Sequence, residues 1–265
     1  MHVLIPNLAA LAALLPATLL PLRRNATRDR LFWTLIGLAV AGPVAWTLAQ
    51  LSGAWRTNLS TDLWAGVSAS LVVFAAVALV NRQAWRVAPL LMPYLFALGA
   101  LASLFATVPA PPMSGAVPAA WVDLHIILSI LTLGLLTVAA SAALASFLQA
   151  RALKTKQANR LTRLLPAVID SEWLFERLLI VSEIILASGV ATGMATQYDE
   201  SGVVLRFDHK SILTLSAFAV IGMLLIGRRV CGVRGQMAAR VVLSAYMLVI
   251  LGYFGVKFVR QVLLG

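Results

Sequence analysis

Two histidines stand in a chain apolar enough that hydrocarbon should have excluded them. His125 lies a turn or so into the run WVDLHIILSILTLGLL, and His209 opens the run in GVVLRFDHKSILTL, crowded by Arg206, Asp208 and Lys210. An ionisable group at membrane depth costs several kcal/mol unless it meets a partner, water or a ligand. Neutral imidazole is the commonest metal ligand, and two of them can hold a metal ion, heme iron included, from opposite faces. Arg206 and Lys210 supply charge for the acidic groups of such a ligand. Trp121 and Phe207, with Trp55, Trp64 and Tyr198, supply aromatic surface, although these residues equally suit the interfacial belt of any membrane protein. Ser129 and Thr132 follow His125 at i+4 and i+7 and share its helix face. On the residues alone, His125 reads equally as an interfacial histidine hydrogen-bonded to a neighbouring helix.

The elements that must position these groups are membrane helices. The chain has 265 residues, of which 61% are hydrophobic and 12% charged, too apolar to close around a soluble core. A helix crossing about 30 Å of hydrocarbon needs roughly 20 mostly apolar residues. Eight runs qualify, at 3–22, 31–51, 64–81, 88–107, 122–149, 174–195, 209–227 and 240–263. No large polar segment separates them, so residues 1–265 read as a single polytopic all-α membrane domain.

The gaps between runs divide by charge. One set holds Arg23, Arg24, Arg28 and Arg30, then Arg82 and Arg86, then Arg151, Lys154, Lys156, Arg160 and Arg163, then Arg228, Arg229, Arg234 and Arg240, with Arg177 just inside a run. The alternate set holds Arg56, Arg206 and Lys210, with Lys257 and Arg260 near the C-terminal end. Lys and Arg in short loops mark the cytoplasmic side, so both termini are expected outside and both imidazoles at shallow depth on the outer face. The same distribution explains the net charge of +11 by membrane insertion and anionic lipid contact, and argues against nucleic acid as a partner.

Several other features are assigned little chemistry. The start MHVLIPNLAA lacks the basic region of a signal peptide, so the first run is expected to stay as a helix, with His2 a terminal residue beside it. Cys231 is the only cysteine, which leaves no disulfide and no CxxCH motif for covalent heme attachment. The segment 107–120, with Pro109, Pro111, Pro112 and Pro118, reads as an extended external crossing. Segment 151–173 is expected to hold either a short basic amphipathic helix ended by Pro166 or a solvated loop. Glu183 lies about two turns into its run, either protonated or paired with Arg177 or a hydroxyl. A lone acid without a second intramembrane acid argues little for ion transport. Gly189 and Gly193 form a GxxxG, read as close helix packing.

Taken in order, DLHIILSILTLGLLTVAASAAL, LFERLLIVSEIILASGVATG, FDHKSILTLSAFAVIGMLLIGRR and VRGQMAARVVLSAYMLVILGYFGVKFV resemble the C-terminal half of the cytochrome c assembly proteins, the CcsA, CcmC and HemX-like membrane family. The likeness is to a short eight-helix branch that lacks the tryptophan-rich motif. The resemblance implies heme handling at the outer face of a bacterial inner membrane, with external histidines as iron ligands. His125 takes the first external-histidine position. Where the family has Trp-Asp-Pro-Lys, this chain has Phe207-Asp208-His209-Lys210, so the acid and the lysine match, the tryptophans are absent, and His209 fills a proline slot.

Two functional readings follow. In one, the protein binds or delivers heme for cytochrome c biogenesis through His125 and His209, with Arg206, Lys210, Trp121, Phe207 and Asp208 around the ligand and other assembly or membrane proteins as partners; no bond-making step is assigned to it. In the other, the scaffold is a non-catalytic accessory or regulatory membrane subunit. The charge pattern makes its own prediction: in sealed cells, cysteine probes at Ser114 or Gly202 are labelled by an impermeant reagent from outside, and a probe at Gln157 is protected.

Overall fold

The computed structural model describes residues 4–22, 27–52, 58–107, 119–204, 208–259 and 261. Hydrocarbon offers a backbone N–H or C=O no partner, so an apolar run must satisfy these groups within itself as helix. The described residues are accordingly helical, with no strand. The helices are α1 (Leu4–Leu19), α2 (Arg30–Leu51), α3 (Leu59–Val80), α4 (Ala88–Leu104), α5 (Ala119–Thr155), α6 (Arg160–Leu164), α7 (Val168–Ser201), α8 (His209–Val230), α9 (Gly235–Ile250) and α10 (Val256–Phe258). A π-wound turn, Leu251–Gly255, joins α9 to α10 as one span.

Among the described residues seven helices are long and apolar enough to cross a bilayer, and the chain is a multi-pass helical membrane protein. They are α2, α3, α4 with the 3-10 turn Ala84–Val87 before it, α5, α7, α8 and the span Gly235–Phe258. The first run, expected as an eighth crossing, forms a helix of 16 residues, about 24 Å at 1.5 Å per residue. Helices α5 and α7 run well past the expected 122–149 and 174–195. Past the apolar stretch α5 continues through Gln149, Ala150, Arg151, Ala152, Leu153 and Lys154, all good helix formers. These extensions take up nearly half of segment 151–173. What remains helical between them is the five-residue α6, started by a capping box between Asn159 and Thr162, rather than an amphipathic helix able to lie on lipid.

Arg28, Arg86 and Arg228 of the arginine-rich gaps tie helices together at one end of the bundle. Arg28 donates to the carbonyls of Ala78 and Leu79, Arg86 to those of Arg163 and Leu164, and Arg228 pairs with Glu176 at 2.8 Å. At the opposite end Lys257 pairs with Asp62 of α3, and the Leu59 N–H donates to Gln261 Oε1 at 3.0 Å. These ties join the last span to α3 and close the N-terminal helices onto the C-terminal ones.

Helix α5 is central, packed against α3, α7 and α9. Apolar packing alone does not drive helices together in lipid, where the tails are as apolar as leucine; close approach and interhelical hydrogen bonds do. Gly134 supplies the close approach, since a Cβ there would lie 2.9 Å from the backbone carbon of Ala69 on α3. Buried hydroxyls supply the bonds: Tyr246 of α9 bonds Tyr94 of α4 at 2.8 Å and Thr137 of α5 at 3.0 Å, and Thr47 bonds Ser68 at 2.8 Å. Trp64 is fully buried and donates to Asn7 at 2.5 Å, tying α3 to α1. Gly134→Leu is therefore expected to lower stability by about 1–3 kcal/mol or more, read as a lower unfolding temperature in detergent. Gly37→Ala on α2, where a Cβ meets nothing within 4 Å, is expected to be neutral or slightly stabilising.

Candidate functional site

At the end away from the arginines, α5, α7, α8 and the last span enclose a cavity of ≈ 270 Å³. Its wall carries His125, Ser129 and Thr132 of α5, so the face expected from their spacing does point inward. From α7 come Gly189, Gly193 and Met194; from α8, Lys210, Ser211 and Thr214, with Asp208 just before them; from the π-wound turn, Gly252 and Tyr253. A π-wound turn displaces the residues after it from α-helical register and recurs at functional sites.

The imidazole of His125 is held by α7. Its Nδ1 lies 2.9 Å from the carbonyl oxygen of Gly189 and 3.4 Å from Thr192 Oγ1. A carbonyl only accepts, so Nδ1 carries the proton and Nε2 keeps its lone pair. That is the tautomer a metal requires, fixed by the kind of backbone bond that orients ligating histidines. Gly193 makes the seat possible, because a Cβ there would stand 2.9 Å from His125 Cε1. At Gly189 a Cβ would meet only Leu128 Cβ, at an ordinary 3.7 Å. Of the two glycines in the GxxxG, one lends its carbonyl and the other its missing side chain.

Asp208 caps α8, its Oδ1 accepting from the Ser211 N–H at 2.7 Å. Partial burial opposes its charge, but the Ser211 hydrogen bonds and the neighbouring charges of Lys210 and His209 outweigh that and hold the carboxyl below its ordinary value. Lys210, two residues on, lines the cavity without an ion pair among the described residues, because the nearby Asp62 is taken by Lys257. Its ammonium is thus available to an acidic ligand group.

The other expected site residues are placed differently. His209 is exposed on the first turn of α8, between two residues of the wall, and is not itself part of that wall. Trp121 and Tyr198 are exposed and outside the wall, and Trp64 is buried on the far side of α3. Arg206, Phe207, Trp55, Arg56, His2 and the proline-rich stretch 108–118 lie outside the described residues. The aromatic side chain that does border the cavity is Tyr253, which sequence reasoning missed along with Met194 and the Asp62–Lys257 pair. The pair had a signal, an acid and a lysine at the same expected end of two apolar runs; Met194 and Tyr253 had none. Among the described residues no three His, Cys, Asp or Glu side chains cluster as a protein-built metal site would need. Among the donors the wall offers a metal are the His125 imidazole and the Met194 thioether, both known iron ligands in heme proteins.

Fold and cavity together define a polytopic helical membrane protein with a chamber near one end of its helix bundle. The model of the cytochrome C assembly protein family matches residues 44–264, and the chain belongs to that family. The match begins in α2, so it takes in much of the N-terminal half, where the residues had shown only general apolarity. A protein of Azospirillum brasilense, an "uncharacterized 28.8 kDa protein in nifR3-like 5'region", is 50% identical over 264 residues, 98% of this chain and 97% of its own length. No solved structure matches.

The seat of His125 makes a spectroscopic prediction. Nitrogen NMR of imidazole-labelled protein should show His125 as the Nδ1–H tautomer. Gly193→Val should displace the ring and return the mixed tautomers of a free imidazole, while Gly189→Ala leaves the tautomer unchanged.

Proposed function

We propose that this protein handles heme at the outer face of a bacterial inner membrane, binding or delivering it for cytochrome c assembly, with His125 as an iron ligand. One observation carries the reading: an imidazole locked by a backbone carbonyl with its Nε2 lone pair free, in a chamber wall that also carries Lys210, which has no ion pair among the described residues. Family membership supports the same ligand class. The groups present suit heme in kind. Nε2 of His125 would meet the iron, Lys210 a carboxylate, and the apolar surface of Leu186, Val190 and Leu215 the macrocycle. Asp208 holds the start of α8, and so Lys210, in place.

At ≈ 270 Å³ the chamber falls just below the usual range for small-ligand pockets, about 300–1,000 Å³. A tetrapyrrole would be partly enclosed, which suits a protein that passes its cargo on. His209 and Trp121 belong to this proposal as groups that meet the ligand from outside the chamber wall, and Arg206 and Phe207, which lie outside the described residues, as further ligand contacts. The charge distribution supports eight crossings, α1 being the first, with both termini and the chamber on the outer side.

Protein purified after expression with ample heme should show a Soret band. His125→Ala should shift or abolish it and weaken heme binding by at least about tenfold, about 1.4 kcal/mol. A featureless spectrum from the unaltered protein would replace this reading with that of an accessory membrane subunit.

A further inference from the structure

Below the chamber, on the same side of α7, is a carboxyl the heme reading does not use. Glu183 precedes Leu186 of the chamber wall by three residues, one helical turn deeper. Its Oε2 is buried and has no hydrogen-bond partner among the described residues. Its Oε1 faces α8 at Gly222, where a Cβ would come within 3.1 Å. Glycine leaves room for the carboxyl between the two helices.

Among the described residues no charge lies close enough to compensate it. Along α7 the nearest are Arg177 and Glu176, six and seven residues away, about 9–10 Å at 1.5 Å per residue. Arg177 lies 5.6 Å from the centre of the Trp173 ring, and Glu176 is bonded to Arg228, so the pairing with Arg177 considered from sequence is absent. Of the helices packed on α7, α5 carries only His125 between Asp123 and Arg151, and α8 carries no charge between Lys210 and Arg228. The last span carries only Tyr246 and Tyr253 between Arg240 and Lys257, and the hydroxyl of Tyr246 is taken by Tyr94 and Thr137. A bare carboxylate in this setting is an uncompensated charge in hydrocarbon, costing several kcal/mol.

We infer that Glu183 is a proton-binding site at mid-membrane: a carboxylic acid that exchanges its proton only through water arriving from the chamber past Leu186. The chamber supplies the hydroxyls of Ser129, Thr132 and Thr214 as a polar path toward that floor; the exposed neighbours Val181 and Ile184 present an apolar surface on the other side. The site is independent of what the chamber binds, so a chain that takes no heme tests it equally well.

Hydrophobic carbodiimides provide the test, because they partition into lipid and react with the acid form. The carboxyl proton moves to a carbodiimide nitrogen as its oxygen bonds the central carbon, and the adduct rearranges to an N-acylurea with nothing lost. In native membranes treated with dicyclohexylcarbodiimide at mildly acidic pH, mass spectrometry of peptides should find the adduct on Glu183, decreasing as pH rises and missing at that site in Glu183→Gln. A water-soluble carbodiimide should leave Glu183 unmodified. Leu186→Ala, or the milder Leu186→Val, opens the floor to water and should lower labelling by the apolar reagent while admitting the soluble one. No adduct on Glu183 of the unaltered protein, or equal labelling by both reagents, overturns the proton site. An unchanged pattern in both Leu186 variants overturns the route through the chamber.

Discussion

Lipid gives a buried polar group nothing to bond, and that constraint organises this molecule from its backbone to its chamber. It turns the apolar runs into helices, and then obliges the polar side chains inside them to find one another. Tyr94, Tyr246 and Thr137 join three helices in one chain of hydroxyls, and Trp64 reaches Asn7. His125 reaches a glycine carbonyl. The hydrogen bonds that a soluble protein would share with water are here spent between helices, where they fix which helix lies beside which.

The contact of α5 with α7 shows packing and chemistry using one device. A GxxxG brings two helix backbones close, and closeness is what allows an imidazole on one to bond a main-chain carbonyl on the other. The ring lies where the Gly193 side chain would have been. Because both partners sit on long helices rather than loops, the tautomer of His125 is set by rigid elements. The π-wound turn in the last span brings Gly252 and Tyr253 to the same chamber, and the Lys257–Asp62 pair just beyond it anchors that span to α3. The N-terminal helices thus support the chamber from behind without lining it.

Charge plays two separate parts. At the arginine-rich end, guanidinium groups satisfy the last carbonyls of neighbouring helices or pair with Glu172 and Glu176, so residues that orient a chain in a membrane also cap its helices. At the chamber end Lys257 is paired with Asp62, and Lys210 has no ion pair among the described residues. An ammonium beside an apolar hollow suits an amphiphilic ligand, whereas the guanidinium groups at the other end tie helices together.

The presence of membrane-length apolar helices, their alternation with basic gaps and the inward face of His125, Ser129 and Thr132 were legible in the amino acids, because helix period and hydrocarbon thickness are local constraints that any one run must meet by itself. Family membership was legible too, from the order of four segments. The ends of α5 and α7 were not, since helix-forming polar residues continue a helix beyond the membrane without an apolar signal. Only the tertiary structure decided that Lys210 and not His209 lines the chamber, for adjacent residues at a helix start differ by about 100° in direction and nothing in their order says which one faces the neighbours. It also decided that the glycine pair seats an imidazole, that Met194 and Tyr253 complete the wall, and that Glu183 Oε2 is left without a hydrogen-bond partner among the described residues. Each of these depends on which helix packs against which, and in a chain whose runs are almost uniformly apolar that choice is made by a few small residues and hydrogen bonds whose partners lie more than fifty residues away.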